Sequence, residues 1–495
     1  MPVQLWLEIA AIVAIVAIFA FVWGKKHARK LQRARRIHID RYKLKRRHAE
    51  IELEVFGSRE VVDAIREYAK THHVSIDEAR NQARTYLREI VPKFNLLAYY
   101  RVGAPIASMI MHFLYRVVVE RKPARDFNEK GRRGTVIYVI NHRSNADYVL
   151  VAHMLFKFIS LSYAVGEWAR VWPLNHLFKW FGAYFIRRRY REPLYHAVLS
   201  TFVGTITKNG VTQGIFVEGG LSRDGAFLKP KLGMLDYIVS SKRDPGFTDP
   251  LFIMPTAINY DRVLEDRNLT EELVGKEDRR TRTEKMNTTL EFLFKNVLRS
   301  ALRRFKRYGY AVVTFGEPIE VDEFIRRDPS LVAATFEERK PALQRLANEV
   351  MHQISAALPV TPVTLVAHIF RQRGVLTDAQ MERAIDEEHE RLSGRVWQLR
   401  EKTPAEIWRA ARNVLELRRL VHRVEQWRSD LFDDGGGVPV IEDAWQWNPE
   451  EILLRDYYAN SLLTFDEVAQ RGWPERTPHQ APSHAVPQNV TAGSQ

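Results

Sequence analysis

The order of apolar and polar positions changes character several times along the chain. From Leu5 to Trp23 the run LWLEIAAIVAIVAIFAFVW carries one charge, Glu8. As a helix it would be roughly 28 Å long, close to the hydrocarbon thickness of a bilayer. Trp6 and Trp23 stand near its ends, where indole rings favour the interface. The pattern predicts a transmembrane anchor over 1–24 rather than a cleaved signal peptide. No basic residue precedes the run, and no small-residue cleavage site follows it. A basic segment over 25–57 comes next, with Lys25, Lys26, Arg29, Lys30, Arg33, Arg35 and Arg36 at its start. Such a flank stays on the cytoplasmic side of the inner membrane and lies against anionic headgroups.

From 58 to 124 the periodicity is helical. Ser75 and Glu78 have capping-box spacing ahead of an amphipathic stretch. The long apolar stretch Leu96 to Val119 is broken by Arg101, Gly103 and Pro105, and reads as helices packed on the next domain or partly dipped into the membrane. Between 125 and 323 four short apolar runs alternate with helical patterns: TVIYVI (135–140), GIFV (214–217), PLFIMPTAI (250–258) and YAVVTF (310–315). That alternation predicts an α/β fold, a mainly parallel sheet flanked by helices, with functional residues just beyond the carboxyl ends of strands. Pro255 inside the third run argues against a regular central strand there. Residues 324–432 return to a helical pattern, with capping boxes at Thr377/Gln380 and Thr403/Glu406. DDGGGVP (433–439) opens a region of linker and short helices over 433–471, and the proline-rich polar tail 472–495 is expected to be disordered.

Charge narrows the partners. A net charge of +15 over 495 residues predicts attraction to something anionic. The basic segment has few aromatics to stack on bases, so acidic lipid or a phosphorylated substrate is expected rather than nucleic acid. With no cysteine, disulfides, cysteine-ligated metals and acyl-cysteine intermediates are excluded.

Four segments carry candidate chemistry. NHRSNADY (141–148) sets His142 and Asp147 five residues apart across a strand-to-helix turn. A carboxylate on one imidazole nitrogen fixes the tautomer and stabilises the imidazolium formed when the other nitrogen takes a proton. This is the base half of a triad without a protein nucleophile, a place that a substrate hydroxyl could fill. In GAYFIRRRYRE (182–192), Arg187 and Arg188 offer guanidinium groups of the kind that grip phosphate bidentately. FVEGGLSRDG (216–225) ends a strand in paired glycines. There Gly219 lets backbone N–H groups approach an anion, and Ser222 and Arg223 complete such a site. Glu218 could orient an arginine or a hydroxyl. IMPTAINYDRVLE (253–265) places Pro255 in a strand. Each segment has a bland counterpart: a helix-start Asp favoured by the dipole, a solvated basic turn, an ordinary strand end, an edge strand with a proline.

Order and spacing raise all four together. HRSNADY, GAYFIRR, FVEGGLSRDG with downstream PKLGML, and PTAINY resemble the four blocks of the glycerolipid acyltransferase superfamily. The likeness is greatest to the large bacterial glycerol-3-phosphate acyltransferases and their dihydroxyacetone-phosphate relatives. It spans about 138–265 and extends loosely back through EARNQARTYLREI. The resemblance implies roles residue by residue. His142 is the general base and Asp147 its support. Arg187, Ser222 and Arg223 hold the phosphate, and Arg188 lies beside them. Glu218 and Gly219 shape the acceptor site, and Pro255 belongs to the block that shapes the acyl side. Leu221 departs from the pattern, standing where the family usually has an arginine, a role the resemblance leaves to Arg188 or Arg189.

On this reading a fatty acyl group passes from acyl-CoA or acyl carrier protein to the 1-hydroxyl of glycerol 3-phosphate, without a metal or redox cofactor. Acylation of 1-acylglycerol 3-phosphate or of dihydroxyacetone phosphate by the same machinery is the nearest alternative. A non-enzymatic scaffold that binds anionic lipid is a more distant one.

Overall fold

In the computed structural model, the described residues are 48–91, 104–120, 134–155, 162–165, 183–187, 190–275, 307–392, 395, 399, 402–427 and 441–473. The anchor expected over 1–24, most of the basic segment, the DDGGGVP linker, Arg188 and most of the tail lie outside them. Among the described residues no helix is long and apolar enough to cross a membrane.

Three helices, α1 (His48–Gly57), α2 (Arg59–His72) and α3 (Ile76–Ile90), precede the sheet, with α4 (Ala104–Leu114) leading into it. Ser75 and Glu78 close the expected capping box at the start of α3. Alternating with strands come α5 (Asp147–Leu155), α6 (Pro193–Lys208), α7 (Gly233–Val239) and α8 (Asp266–Leu273). The sheet consists of β1 (Arg116–Val119), β2 (Thr135–Ile140), β3 (Ser162–Val165), β4 (Ala183–Phe185), β5 (Gln213–Phe216), β6 (Leu251–Tyr260), β7 (Tyr310–Phe315) and β8 (Ile319–Glu320), in the order β1-β7-β6-β2-β5-β3-β4, with β8 on β6.

All four predicted strands are present, and the sheet is mixed. β6, β2, β5, β3 and β4 run parallel, while β7 and β8 pair antiparallel with β6. β1 was expected to be helical. It is a strand parallel to β7 instead, and its Val-Val-Val run is the β-branched signal that the preceding apolar helix obscured. Pro255 does not mark an edge. β6 is central, and Pro255 faces Val139 of β2. The Pro255 carbonyl accepts from the Gly316 N–H at 2.9 Å. Its missing N–H points the same way, into the break where pairing with β8 (252–253) gives way to pairing with β7 (256–260). No ladder bond is lost there.

Both faces of the sheet are covered. Along β2 the side chains alternate. Val136, Tyr138 and Ile140 join a core with α4, α5 and the C-terminal region, while Ile137 and Val139 join a core with α2, α3 and α6. The period of two in TVIYVI is therefore hidden in the sequence, because both faces are apolar.

The C-terminal region contains α9 (Val321–Arg327), α10 (Phe336–Ala356), α11 (Pro362–Arg373), α12 (Asp378–Arg391), α13 (Pro404–Leu417), α14 (Ile452–Asn460) and α15 (Phe465–Arg471). Capping boxes at Thr377/Gln380 and Thr403/Glu406 open α12 and α13 as the spacing predicts. The short helices expected over 433–471 are present as α14 and α15, but strands interrupt both that region and the helical reading of 324–432. β9 (Leu376–Thr377), β10 (Val421–Trp427) and β11 (Ile441–Trp447) form a separate antiparallel sheet.

Candidate active site

The site is built at the carboxyl end of β2. One residue past the strand, the Asn141 side-chain amide donates to the Ile258 carbonyl (3.0 Å), and its oxygen accepts from the Ile258 N–H (2.8 Å). The side chain thus prolongs the β2–β6 ladder as a backbone would, and it fixes where His142 begins.

His142 is 2% exposed. Its ring stacks on Phe216 of β5 at 4.1 Å between centroids and meets Tyr148 edge-on at 5.5 Å. Nδ1–H donates to Asp147 Oδ2 at 2.9 Å, so Nε2 is the nitrogen left for a substrate. Asp147 is the first residue of α5. The same Oδ2 accepts the N–H groups of Arg143 (2.7 Å) and Ser144 (3.0 Å), and Oδ1 accepts the Tyr260 hydroxyl at 2.6 Å. Burial first, and then the neighbouring carboxylate, holds the Tyr260 phenol well above its ordinary pKa, so it remains a donor. Every group that reaches Asp147 thus requires an acceptor.

Two further contacts tie the loop down. Ser144 Oγ donates to Glu265 Oε2 at 2.7 Å and accepts the Ala146 N–H at 3.0 Å. The Arg143 guanidinium is buried over Phe227 and donates to the carbonyls of Gly225 and Ala226. The first, third and fourth segments are therefore joined physically.

The third segment turns at Gly219, whose φ is +65°. The Gly219 N–H reaches the Phe216 carbonyl at 3.1 Å, and an added Cβ would lie 3.0 Å from Lys231 Cγ. Glu218 is fully buried beside it. Ser222 is buried too and donates to Asp224 Oδ1 at 3.0 Å, within its own loop. Arg223 Nε donates to Glu272 Oε2 of α8 at 2.9 Å. Leu221 packs against the core.

The second segment stands apart. Arg187 follows β4, which is separated from β2 by β5 and β3. Three strand spacings amount to about 14 Å. Its guanidinium donates to both carboxylate oxygens of Glu89 on α3, at 2.9 and 2.7 Å, and lies 4.7 Å from the Tyr190 ring centre. Arg187 thus shares the strand-end edge of the sheet with His142 without touching it. Pro255 lies within the sheet behind the pair.

Asn141, Arg143, Ser144, Tyr260 and Glu265 are the site residues that sequence reasoning assigned no role. Their signal was inside NHRSNADY and NYDRVLE, but pairings 82 to 121 residues away leave no spacing to read.

The C-terminal region closes on these loops. The Asn460 amide donates to the Asp224 carbonyl at 3.0 Å. Gly225, at φ +83°, is pressed so close that an added Cβ would lie 1.8 Å from the Tyr457 carbonyl oxygen of α14. Arg418 pairs with the buried Asp266 at 2.6 Å.

Residues 117–259 match the family model described as Acyltransferase, so the chain carries an acyltransferase domain. Residues 294–465 match a second, described as the glycerol-3-phosphate acyltransferase C-terminal region. The second match is the one that names glycerol-3-phosphate acyltransferases, to which the chain is similar. Proteins named glycerol-3-phosphate acyltransferase from Shewanella denitrificans (30% identical, 73% of this chain, 46% of the relative) and Aeromonas hydrophila (27%, 88% and 53%) are similar to it. The chain spans about half the length of these curated relatives. The crystal structure of a 1-acyl-sn-glycerophosphate acyltransferase from Thermotoga maritima aligns with 61% of this chain and 94% of its own, at 17% identity and a TM-score of 0.28.

Proposed function

We propose that the protein transfers a fatty acyl group from a thioester donor to the 1-hydroxyl of glycerol 3-phosphate, yielding lysophosphatidic acid. The observation that carries this reading is the His142–Asp147 pair, assembled within an acyltransferase domain with Nε2 unpartnered among the described residues. Nε2 takes the proton of the acceptor hydroxyl as its oxygen attacks the thioester carbon. The tetrahedral intermediate then expels the thiolate, which regains the proton from the imidazolium. An ester and a free thiol result. No protein nucleophile takes part, in keeping with the lack of cysteine.

The names of the similar proteins support glycerol 3-phosphate as acceptor. Arg187 and Arg223 are the groups we assign to its phosphate, each reached by exchanging a glutamate partner. Acyl-CoA, which is polyanionic, and acyl carrier protein, which is acidic, both suit a chain of net charge +15. An anchor over 1–24, with the basic segment on anionic lipid and the catalytic domain on the cytoplasmic face, would set the enzyme where its amphiphilic product is used.

Leu221 favours a second reading. An apolar, core-packed side chain where the family usually has an arginine would suit 1-acylglycerol 3-phosphate as acceptor. The test is purified protein in lipid, given each acceptor with a labelled acyl thioester. Faster acylation of glycerol 3-phosphate supports the first reading, and faster acylation of the lyso-lipid replaces it.

A further inference from the structure

Glu265 carries no role in the mechanism above, yet it touches the loop that presents the base. It closes the turn between β6 and α8, and among the described residues it has no ion-pair partner. Its Oε2 accepts from Ser144 Oγ at 2.7 Å. Ser144 in turn gives its N–H to Asp147 and takes the N–H of Ala146, so one hydroxyl links Glu265 to the carboxylate that steadies His142.

The geometry points to Glu265 as a positioning residue for the His142–Asp147 pair, holding the base loop through Ser144. The inference rests on the acyl-transfer reading for its effect on rate, but not for the coupling itself.

Chemistry makes this latch sensitive to pH. Burial pushes the Glu265 carboxyl up to about 7; the Ser144 bond opposes this shift and the Asp147 charge adds to it. The surroundings offer little relief. Tyr115 before β1, Tyr260 of β6 and Tyr457 of α14 are all neutral donors that feel its charge. Arg262 lies over the Tyr308 ring, and Asp266 next in sequence is taken by Arg418. When ionised, Glu265 is a pure acceptor for the Ser144 hydroxyl. Once protonated, it keeps only a neutral carbonyl acceptor for Ser144, the charge-assisted bond weakens, and the loop loosens.

The sign for stability is opposite to that of an ordinary ion-paired carboxylate. The folded value, about 7, lies above the unfolded one, so between the two the folded state holds the extra proton. Stability therefore falls as pH rises through this window, and activity rises through it.

The experiment compares wild type, Glu265→Gln and Ser144→Ala. Glutamine keeps an acceptor for Ser144 but cannot titrate. We expect wild-type kcat to rise with pH more steeply than one proton allows, and the rise in Glu265→Gln to revert to a single-proton curve. KM for the acceptor should change by less than about twofold in both variants. Ser144→Ala should lower kcat roughly five- to tenfold. The wild-type Tm should fall between about pH 5 and about pH 8 more than that of Glu265→Gln. Identical kcat–pH shapes in wild type and Glu265→Gln would overturn the inference, because a merely structural carboxyl would alter Tm alone. A readout independent of turnover is the nitrogen-15 shift of the Ser144 and Ala146 amides. Titration near 7 in wild type that vanishes in Glu265→Gln upholds the coupling, even if neither acceptor is acylated and the proposed function fails. Identical titration in both proteins overturns it.

Discussion

Asp147 is reached by four donors, and neither it nor His142 is more than 2% exposed. The side chains of Arg187 and Arg223 are 27% and 28% exposed, and each pairs with a glutamate. The first region is assembled before any substrate arrives, with its hydrogen bonds in surroundings where each counts for more than in water. On the proposed reading, the second holds its cations in partners that a phosphate would displace. Substitutions in the first region should therefore act on kcat, and those in the second on KM for the acceptor.

The sharpest way to break this contrast is His142→Ala. Loss of a general base lowers kcat by about a thousandfold, within the range of such groups. KM for glycerol 3-phosphate should stay within a few-fold of wild type, as steady-state rates with a labelled thioester would show. A variant that lost binding and kept turnover would reverse the two regions.

Tyr260→Phe probes the support of the base with a smaller change. It removes the donor at Asp147 Oδ1 and little else, since the ring stays packed near Tyr115. A hydrogen bond to a charged group is worth about 2 kcal/mol. The expected result is a loss of roughly that size in urea unfolding and about a tenfold fall in kcat at unchanged KM. An unaltered kcat would mean that the backbone donors hold Asp147 unaided.

Arg223→Gln tests the second region directly. It should raise KM for the acceptor about tenfold, the value of a charge-assisted bond to phosphate, and leave kcat within about twofold. Arg187→Gln should do the same more weakly if its distance from β2 persists when substrate is bound.

The same contrast explains what could be read from the sequence. The His142–Asp147 contact was legible because both residues sit in one short turn, where chain geometry brings them together. TVIYVI and YAVVTF were legible as strands because β-branched runs have one obvious home. β3 and β4 were missed because SYAV and AYF are short and lack the β-branched run that marks TVIYVI and YAVVTF. β10 and β11 were missed because VHRVEQW and IEDAWQW mix charge with tryptophan, and only burial of Trp445 and Trp447 reveals the inner face. Tyr260 and Glu265 reach the site from over a hundred residues away, through β6 pairing that no local pattern encodes. Arg187 taught the converse: a residue flagged by its motif is already paired with Glu89, on a helix read only as a flank.

The smallest expected effect belongs to Glu272→Gln, and it discriminates most finely. Arg223 and Glu272 are both about a quarter exposed, and an ion pair of that kind contributes at most about 1 kcal/mol. If the glutamate merely occupies the guanidinium until phosphate displaces it, neutralising it removes a competitor. KM for glycerol 3-phosphate should then fall, by no more than about fivefold, with kcat unchanged. If Glu272 instead aims Arg223, KM should rise, and the double variant with Arg223→Gln should behave as Arg223→Gln alone. Raising the salt concentration separates the cases further. An exchangeable pair is screened, so the advantage of Glu272→Gln over wild type should shrink as ionic strength increases. An advantage that persisted in high salt would place Glu272 with the preassembled region rather than with the exchangeable one.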